Sequence, residues 1–536
     1  MTTVEPTADA AGSLDTLLTE AALGTGRMLR PDLSTLKFLG ALAGKPGPTL
    51  GRVSALAGEL TRIARGTSSV APAKRDRRFA DPAWTENPVL RRIVAAYLAA
   101  GRTAKELVAD ADLGWRDRER TSFLVANLVE AAAPSNNPLL SPVAWKAAID
   151  SGGVSVLKGF RNLATDLASA PRVPTMVAPD AYRVGVDLAV TPGDVVLRTE
   201  VFELIRYAPQ TETVSAIPLL IVPPMINKFY AMDLAPGRSL VEYLVGEGIQ
   251  VYMVSWRNPD ARHAEWGFDA YGQSVIDAMD ATGAERVHLL GTCSGGIVSA
   301  MVAAHLAGSD RLASLTLLVT MLDQERAGTA GAFADPAAAK AAIAASRAKG
   351  YLDGKALAEI FAWLRPGDLI WNYWVNNYLA GRTPPAFDIL FWNADTTRMS
   401  AALHRDFVTT ALDNALTRPG ATTMLGTPVD LGAVTVDSYV LAGSADHICP
   451  WRNCRTSTQL LGGESRFVLS SNGHIAALIN PPGNPKSSYQ VDDGPTQQGS
   501  WWPDYASWLT ERGGAQVAPE AVASLGAAPG HYVLET

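Results

Sequence analysis

The sequence predicts an α/β protein with a mostly parallel sheet, and three observations support that prediction. Short apolar runs, typical of buried strands, alternate with helical segments from about residue 181 onward. Such alternation is typical of a sheet with helices on both faces. One run leads into the box Gly291-Thr292-Cys293-Ser294-Gly295-Gly296. Two later runs end in small-residue loops that carry Asp446 and His474.

The bulk composition describes a globular protein with a large core. The chain has 536 residues, of which 47% are apolar and 18% charged, and a net charge of −7. This charge does not suggest nucleic-acid binding across the chain. The N-terminus lacks the pattern of a secretory signal, and the longest apolar runs are too short to span a bilayer. Since the chain has only three cysteines, we predict a cytoplasmic protein without a disulfide framework.

The individual elements follow from hydrophobic spacing. Strands are predicted where short apolar, β-branched runs occur, at 195–197, 201–205, 218–222, 251–254, 287–290, 315–319, 438–441 and 467–469. Helices are predicted between several of them, at 239–246, 274–282 and 297–306.

Changes in composition along the chain predict five segments. The alternation stops after Thr320 and resumes at Ser438, and the residues between are Ala-rich and then aromatic-rich. We interpret this interruption as an inserted cap. The predicted segments are a mobile leader (1–27), a helical N-terminal domain (28–180), an α/β catalytic core (181–322 and 437–515), the cap or lid (323–436) and a C-terminal tail (516–536).

The glycine-flanked box has the sequence context of a nucleophile elbow, the strand–turn–helix of the α/β-hydrolase fold. The central residue is Cys293, with Gly291 and Gly295 two positions away on either side. Glycines are expected there because the strand and helix backbones approach closely. Ser294 is a rival nucleophile, but the position two before it is Thr292. We therefore predict a cysteine nucleophile that performs acyl transfer.

A nucleophile of this kind needs a base and an acid, which on this fold follow it in the order acid, then histidine. Asp446 follows the strand at 438–441, and His474 follows the strand at 467–469. We predict Asp446 as the acid and His474 as the base. Asp323 is the rival acid, with a cap-hinge or N-cap role as its alternative. His447 is a possible support for the loop that carries Asp446.

An oxyanion hole needs two backbone N–H groups. Ser294, after the nucleophile, is the first predicted donor. The second should come from the loop after the strand at 218–222, where two prolines have no N–H. Met225 and Ile226 are both candidates, and the sequence leaves the choice between them open.

The other two cysteines, Cys449 and Cys454, are predicted to be inert core thiols. No Cys or His spacing matches a zinc motif, so no metal site is predicted.

The chain resembles the polyhydroxyalkanoate synthases of the single-polypeptide classes I and II, from about residue 75 to the C-terminus. Besides the cysteine box, the matching stretches are Gly185-Val186-Asp187-Leu188-Ala189, Pro223-Pro224-Met225-Ile226-Asn227-Lys228-Phe229-Tyr230, Leu364-Arg365-Pro366-Gly367-Asp368-Leu369-Ile370-Trp371, Trp392-Asn393-Ala394-Asp395-Thr396-Thr397, Asp446-His447-Ile448-Cys449-Pro450-Trp451, Gly473-His474-Ile475-Ala476 and Gly499-Ser500-Trp501-Trp502-Pro503.

The resemblance places the family's catalytic triad on Cys293, Asp446 and His474. It implies (R)-3-hydroxyacyl-coenzyme A substrates, with coenzyme A as the leaving group and no separate cofactor. It also implies a homodimer that works on a growing polyester chain at the surface of a cytoplasmic granule. Short- versus medium-chain preference stays open, as does whether His474 or Asp446 deprotonates the substrate 3-hydroxyl.

Two alternative functions are also compatible with the sequence. The first is a polyester depolymerase or thioesterase on the same fold, and the second is a non-catalytic granule-coat protein. A dry pocket under the aromatic cap would favour polymerisation, because water would then lose to the hydroxyl.

Overall fold

The computed structural model describes residues 14–24, 26, 28–325 and 335–536. The chain divides into two compact units. The first comprises the described residues up to Leu23 together with Pro179–Leu357 and Phe387–Thr536. The second comprises the described residues of Gly24–Ala178 together with Ala358–Ala386.

A ten-stranded sheet forms the centre of the first unit. From one edge to the other, its strands are Gly193–Arg198, Phe202–Tyr207, Val251–Trp256, Leu219–Val222, Val287–Thr292, Leu312–Leu318, Ser438–Gly443, Ser465–Ser470, Ser488–Val491 and Gln497–Gln498. The six strands from Val251–Trp256 to Ser465–Ser470 pair in parallel. The outer strands pair antiparallel.

The central strands form because they are apolar on both faces, as expected for a sheet covered by helices. All four side chains of Leu219–Val222 are fully buried, as are Leu289 and Leu290 in the next strand. The helices of this unit are Leu14–Leu23, Leu240–Gly246, Phe268–Ala281, Ser294–His305, Pro336–Lys349, Asp388–Ala394, Ala401–Leu412, Trp451–Leu460, His474–Leu478 and Trp502–Thr510. The predicted α/β architecture is confirmed.

The second unit is helical. Its helices are Leu33–Gly44, Pro46–Arg65, Ala83–Glu86, Pro88–Asp110, Trp115–Ala131, Pro142–Asp150 and Val154–Ala168, with two π-helical turns at Gly367–Trp371 and Trp374–Leu379. The helix Gly354–Leu364 crosses the division between the units. Close packing shows at Gly159, where a Cβ atom would collide with the carbonyl of Tyr378. The Tyr378 hydroxyl donates to Asp166 at 2.7 Å.

Two predicted segments have a different course in the structure. Residues 1–13, 25 and 27 of the predicted leader lie outside the described residues, but Leu14–Leu23 is a helix in which Leu17 and Leu18 are fully buried. A mobile leader does not fit these residues. The predicted cap, of which 326–334 lie outside the described residues, does not form one unit, because 358–386 groups with the helical unit.

Within the described residues, no helix combines the length and the apolar character needed to cross a membrane.

Candidate active site

The turn at Cys293 is held in a conformation that side chains rarely adopt. Cys293 has φ 51° and ψ −118°, between the strand Val287–Thr292 and the helix Ser294–His305. Its N–H donates to the Leu318 carbonyl at 3.0 Å. A positive φ at a non-glycine residue is strained and persists only where neighbours enforce it. The turn therefore holds the thiol at the carboxyl edge of the sheet.

Glycine is required beside this turn for steric reasons. A Cβ atom on Gly295 would collide with the carbonyl oxygens of Val222 and Pro223. A Cβ atom on Gly291 would lie 2.5 Å from the Gly296 Cα. The glycines thus let the new helix pass directly over the end of the neighbouring strand.

Asp446 and His474 come together because their strands end side by side. Gly443 and Ser470 are register partners in the parallel pair Ser438–Gly443 and Ser465–Ser470. The His474 Nδ1 and Asp446 Oδ2 atoms lie 2.7 Å apart, and both residues are buried. Asp446 Oδ1 accepts from the N–H groups of Ile448 and Cys449, at 2.8 Å and 2.9 Å. Both carboxylate oxygens therefore have defined donors.

The thiol of Cys293 faces this pair and also faces a second thiol. The Sγ atoms of Cys293 and Cys449 and a ring nitrogen of His474 all lie within 4.8 Å of one another. Cys293 is half-buried and Cys449 is buried. Cys449, predicted to be an inert core thiol, is buried, but its thiol also lies beside Cys293 and His474, which the sequence did not indicate.

The pKa values of His474 and Cys293 are both raised above their ordinary values. Burial opposes protonation of His474, but the Asp446 carboxylate and then Cys293 raise the pKa of its imidazole to about 10. The hydrogen bond with Cys449, together with burial, raises the pKa of the Cys293 thiol, while His474 lowers it. The histidine thus favours the thiolate, but its effect is outweighed by Cys449 and by burial.

The loop after Leu219–Val222 lies beside the elbow. The Met225 N–H donates to Ser294 Oγ at 3.3 Å, and the Met225 carbonyl accepts from Thr397 Oγ1 at 3.0 Å. The Lys228 carbonyl accepts from the Trp392 indole N–H at 2.7 Å. Because the Met225 N–H already donates a hydrogen bond to Ser294 Oγ, the Ile226 N–H is the more available of the two predicted oxyanion-hole donors.

The structure gives the rival residues other contacts. Ser294 is fully buried, and its hydroxyl oxygen accepts a hydrogen bond from the Met225 N–H. Asp323 Oδ1 accepts hydrogen bonds from the Asn414 side chain and from the Glu325 N–H, both at 2.8 Å. His447 is half-buried in the loop next to Asp446.

Two family models match overlapping parts of the chain. Residues 75–244 match the family model of the poly-beta-hydroxybutyrate polymerase (PhaC) N-terminus, and residues 223–481 match the α/β hydrolase fold. The chain is 45% identical over 514 residues to poly(3-hydroxyalkanoate) polymerase 2 of Ectopseudomonas oleovorans, covering 91% of this chain and 92% of the relative.

The chain belongs to the poly(3-hydroxyalkanoate) polymerase family. A second relative, the polymerase subunit PhaC of Cupriavidus necator, is 39% identical over 502 residues, which are 88% of this chain and 85% of the relative. As a poly(3-hydroxyalkanoate) polymerase, the chain is an enzyme that polymerises hydroxyalkanoates.

In this polymerase Cys293 lines a small, partly open cavity of about 20 Å³. Its wall is mostly apolar and consists of Cys293, Ser294, Ile297, Met321, Gln324, Ile448 and Cys449. Sequence reasoning did not identify Met321, Gln324 or Ile448. The only available signal was that they follow strands ending at the same sheet edge, which places many residues near the site without selecting these.

Proposed function

We propose that the polymerase builds its polyester through an acyl thioester on Cys293 and releases coenzyme A from (R)-3-hydroxyacyl-coenzyme A. The observation that carries the proposal is the convergence of Cys293, His474 and Asp446 at one sheet edge. A nucleophile, a base and an orienting acid in this relation are the requirements of covalent acyl transfer.

Loading begins with transfer of the Cys293 proton to His474. Since Asp446 holds Nδ1, the nitrogen available to the thiol is Nε2. In the resulting ion pair the imidazolium is stabilised by the Asp446 carboxylate and by Cys293, the two groups that raise the pKa of His474. The thiolate attacks the substrate thioester carbonyl, the bond to the coenzyme A sulfur breaks, and that sulfur takes the proton from His474. Thioester replaces thioester, so the exchange is close to isoenergetic.

We propose that the N–H groups of Ser294 and Ile226 stabilise the oxyanion formed in each step. Ser294 is the first residue of the helix Ser294–His305, where backbone N–H groups have no intrahelical acceptor. Ile226 is preferred to Met225 because Ser294 Oγ already accepts the Met225 N–H.

Elongation requires attack of a 3-hydroxyl on the acyl thioester. The hydroxyl proton passes to the base, the new ester bond forms, and the Cys293 sulfur leaves and regains a proton. We propose His474 as this base, because both Asp446 oxygens already accept hydrogen bonds from Ile448, Cys449 and His474. The mostly apolar cavity beside the thiol supports polymerisation over hydrolysis, since it disfavours bound water.

A single-turnover experiment tests the covalent step. The enzyme is mixed with 3-hydroxybutyryl-coenzyme A, quenched in acid, digested and analysed by mass spectrometry. We expect the acyl mass on the peptide that contains Cys293, with coenzyme A released in equal amount. Cys293→Ala should lose both signals, whereas Cys454→Ala, a substitution at another buried cysteine, should keep them. Coenzyme A release without acylation at Cys293 would contradict the proposal.

Product analysis separates polymerase chemistry from the hydrolase alternative. Polymer is expected at high conversion, and monomeric acid as the sole product would favour a thioesterase or depolymerase.

We further propose that the protein is cytoplasmic, that it acts as a homodimer, and that its helical unit binds the polyester granule. Large apolar side chains are exposed on two helices of that unit: Ile149 is 74%, Leu157 73% and Phe160 72% exposed. Exposed apolar groups of this density are typical of an interaction surface.

Co-sedimentation with poly(3-hydroxybutyrate) particles tests the granule surface. The double substitution of Leu157 and Phe160 by Ser should reduce the bound fraction. The same change at Leu33 and Leu36, also exposed in this unit, provides the matched control. Equal binding by both variants would contradict the assignment, and sedimentation velocity of the free enzyme tests the homodimer.

A further inference from the structure

Three metal-ligating atoms converge at the nucleophile, although no zinc motif occurs in the sequence. Cys293, Cys449 and His474 each offer one ligand atom, and these atoms lie within 4.8 Å of one another. Cys293 lies at the elbow, Cys449 in the loop after the strand Ser438–Gly443, and His474 at the start of a short helix. The cluster joins residues far apart in sequence, which explains why spacing did not predict it.

The donor set matches a thiophilic divalent cation. Two thiolates and one imidazole form a three-ligand zinc site with one open position. In a tetrahedral site with Zn–S bonds of about 2.3 Å, the two sulfurs would be about 3.8 Å apart. The separation of the two sulfurs would therefore need to contract by about 1 Å at most.

The surroundings of the cluster also suit a metal. Zinc-bound histidines commonly donate their second ring N–H to a carboxylate, which orients the ring. Asp446 Oδ2 lies 2.7 Å from His474 Nδ1 and meets this requirement. Asp446 Oδ1 also accepts a hydrogen bond from the Cys449 N–H at 2.9 Å. The same carboxylate therefore holds the side chain of His474 and the backbone of Cys449, two of the three ligand residues.

We propose that Cys293 Sγ, Cys449 Sγ and His474 Nε2 form a binding site for Zn²⁺ that reversibly inhibits polymerisation. Binding forms two Zn–S bonds and one Zn–N bond and releases the proton of each thiol and the proton on His474 Nε2, with a water molecule or hydroxide in the fourth position. No electrons are transferred. The bound cation occupies the lone pairs of Cys293 and His474, so acyl loading stops until a chelator removes the metal.

The inference goes beyond the proposed function, and only its inhibitory part depends on the role of Cys293 in acyl transfer. Metal binding is therefore measured separately. Cobalt(II) added to the wild-type enzyme is expected to give the absorption of tetrahedral Co²⁺, with a thiolate-to-metal charge-transfer band, and Zn²⁺ should displace it.

Substitution at Cys449 is the decisive test. Cys449→Ser should weaken zinc binding by more than the roughly 10–100-fold loss that follows removal of an outer-sphere partner. It should also shift half-inhibition to a correspondingly higher zinc concentration, each variant being compared with its own zinc-free rate. Cys454→Ser is the matched control, because Cys454 is buried nearby but is outside the cluster, and its zinc sensitivity should equal that of the wild type.

A circular dichroism spectrum and a melting curve check that each variant is folded. If Cys449→Ser is misfolded, Cys449→Ala is used. If neither variant folds, the wild type decides, because bound Zn²⁺ should protect both thiols from alkylation. Absence of the charge-transfer band, or equal zinc affinity in the Cys449 and Cys454 variants, would overturn the proposal. Binding without inhibition would refute the role of the site in polymerisation and count against Cys293 as the acyl carrier.

Discussion

The Asp446 carboxylate organises the site at the scale of single residues. It accepts hydrogen bonds from the His474 side chain and from the N–H groups of Ile448 and Cys449. One buried carboxylate thus orients the His474 imidazole and shapes the loop that brings the second thiol to the first. Removing its charge should affect both protonation and loop geometry.

The effect on protonation gives a pH prediction. The pKa of His474 is raised from its ordinary 6.5 to about 10, so the folded state binds this proton more tightly than the unfolded state. The resulting stabilisation is fully present below about pH 6.5 and is lost as pH rises through about 10. We expect the melting-temperature difference between wild type and Asp446→Asn to shrink between pH 7 and pH 10.

Asp493→Asn is the control for this measurement. Asp493 is exposed and pairs with Arg455, which lowers the pKa of its carboxyl. Its titration lies at acidic pH, so its melting-temperature difference from wild type should stay constant between pH 7 and pH 10. A constant difference for Asp446→Asn as well would contradict the raised histidine pKa.

Gly295 provides a second prediction at this scale. Replacement by Ala would push a Cβ atom into the Val222 and Pro223 carbonyls, which belong to backbone and yield little. We expect a loss of about 1–3 kcal/mol in the free energy of unfolding and a large loss of polymerisation rate.

The matched substitution is Gly246→Ala, because a Cβ atom there meets nothing within 4 Å. This helix-terminal change should alter stability by less than about 1 kcal/mol and leave activity intact. Similar effects of both substitutions in urea unfolding and rate assays would show that close approach at the elbow is unimportant.

At the scale of elements, the loop from Pro223 to Tyr230 is held by groups from the segment 387–397. Lys228 Nζ pairs with Asp395 Oδ1 at 2.8 Å, and the Tyr230 hydroxyl donates to Asp395 Oδ2 at 2.8 Å. The Lys228 side chain is 5% exposed. The position of the Ile226 N–H therefore depends on contacts made by a distant part of the chain.

Asp395→Asn tests this support. It leaves the buried Lys228 ammonium without its charge partner, and breaking such a pair costs about 3–5 kcal/mol. We expect a destabilisation near the lower end of this range, measured by urea denaturation, and a decrease in kcat. Asp112→Asn removes an exposed partner of Lys45 and should cost less than about 1 kcal/mol. Equal costs for the two would contradict the burial argument.

The strands and the residues at their ends could be predicted from sequence, and the reason is physical. Buried parallel strands are short apolar runs, and their carboxyl ends meet at one edge. Cys293, Asp446 and His474 follow such runs, so their meeting follows from topology. The approach of Cys449 depends on how the loop after Asp446 turns, which hydrogen bonds between residues of that loop determine.

At the scale of the whole molecule, the helix Leu14–Leu23 belongs to the first unit, which contains the ten-stranded sheet. It packs against the helices Pro336–Lys349 and Ala401–Leu412, and the Leu18 carbonyl lies 3.2 Å from His404 Nε2. Weak periodicity and small residues made this segment resemble a leader. Its burial depends on partners more than 300 positions away, which no local pattern reveals.

Leu18→Ala should therefore destabilise the first unit. The side chain is fully buried, and such a truncation costs about 3 kcal/mol. Leu525→Ala, at a residue that is 50% exposed in the same unit, should change the free energy of unfolding by less than about 0.5 kcal/mol. Coincident urea midpoints for the two variants would show that the helix contributes little.

The assignment of 358–386 to the helical unit also lay beyond sequence reasoning. The aromatic residues there predicted a cap core, but Trp374 donates to the Asn136 carbonyl at 3.1 Å and Asn377 to the Thr175 carbonyl at 2.6 Å. Aromatic content predicts that these residues are buried, but it does not specify which part of the protein they pack against.

The contacts of the segment 387–397 with the loop at 223–230 have a consequence for protein engineering. Chimeras between related polymerases that exchange only the sheet with its strand-end loops would separate the loop at 223–230 from Trp392, Asp395 and Thr397. The two stretches form one structural module, although they lie far apart in the sequence. Exchanging them together is the way to transplant a working reaction centre.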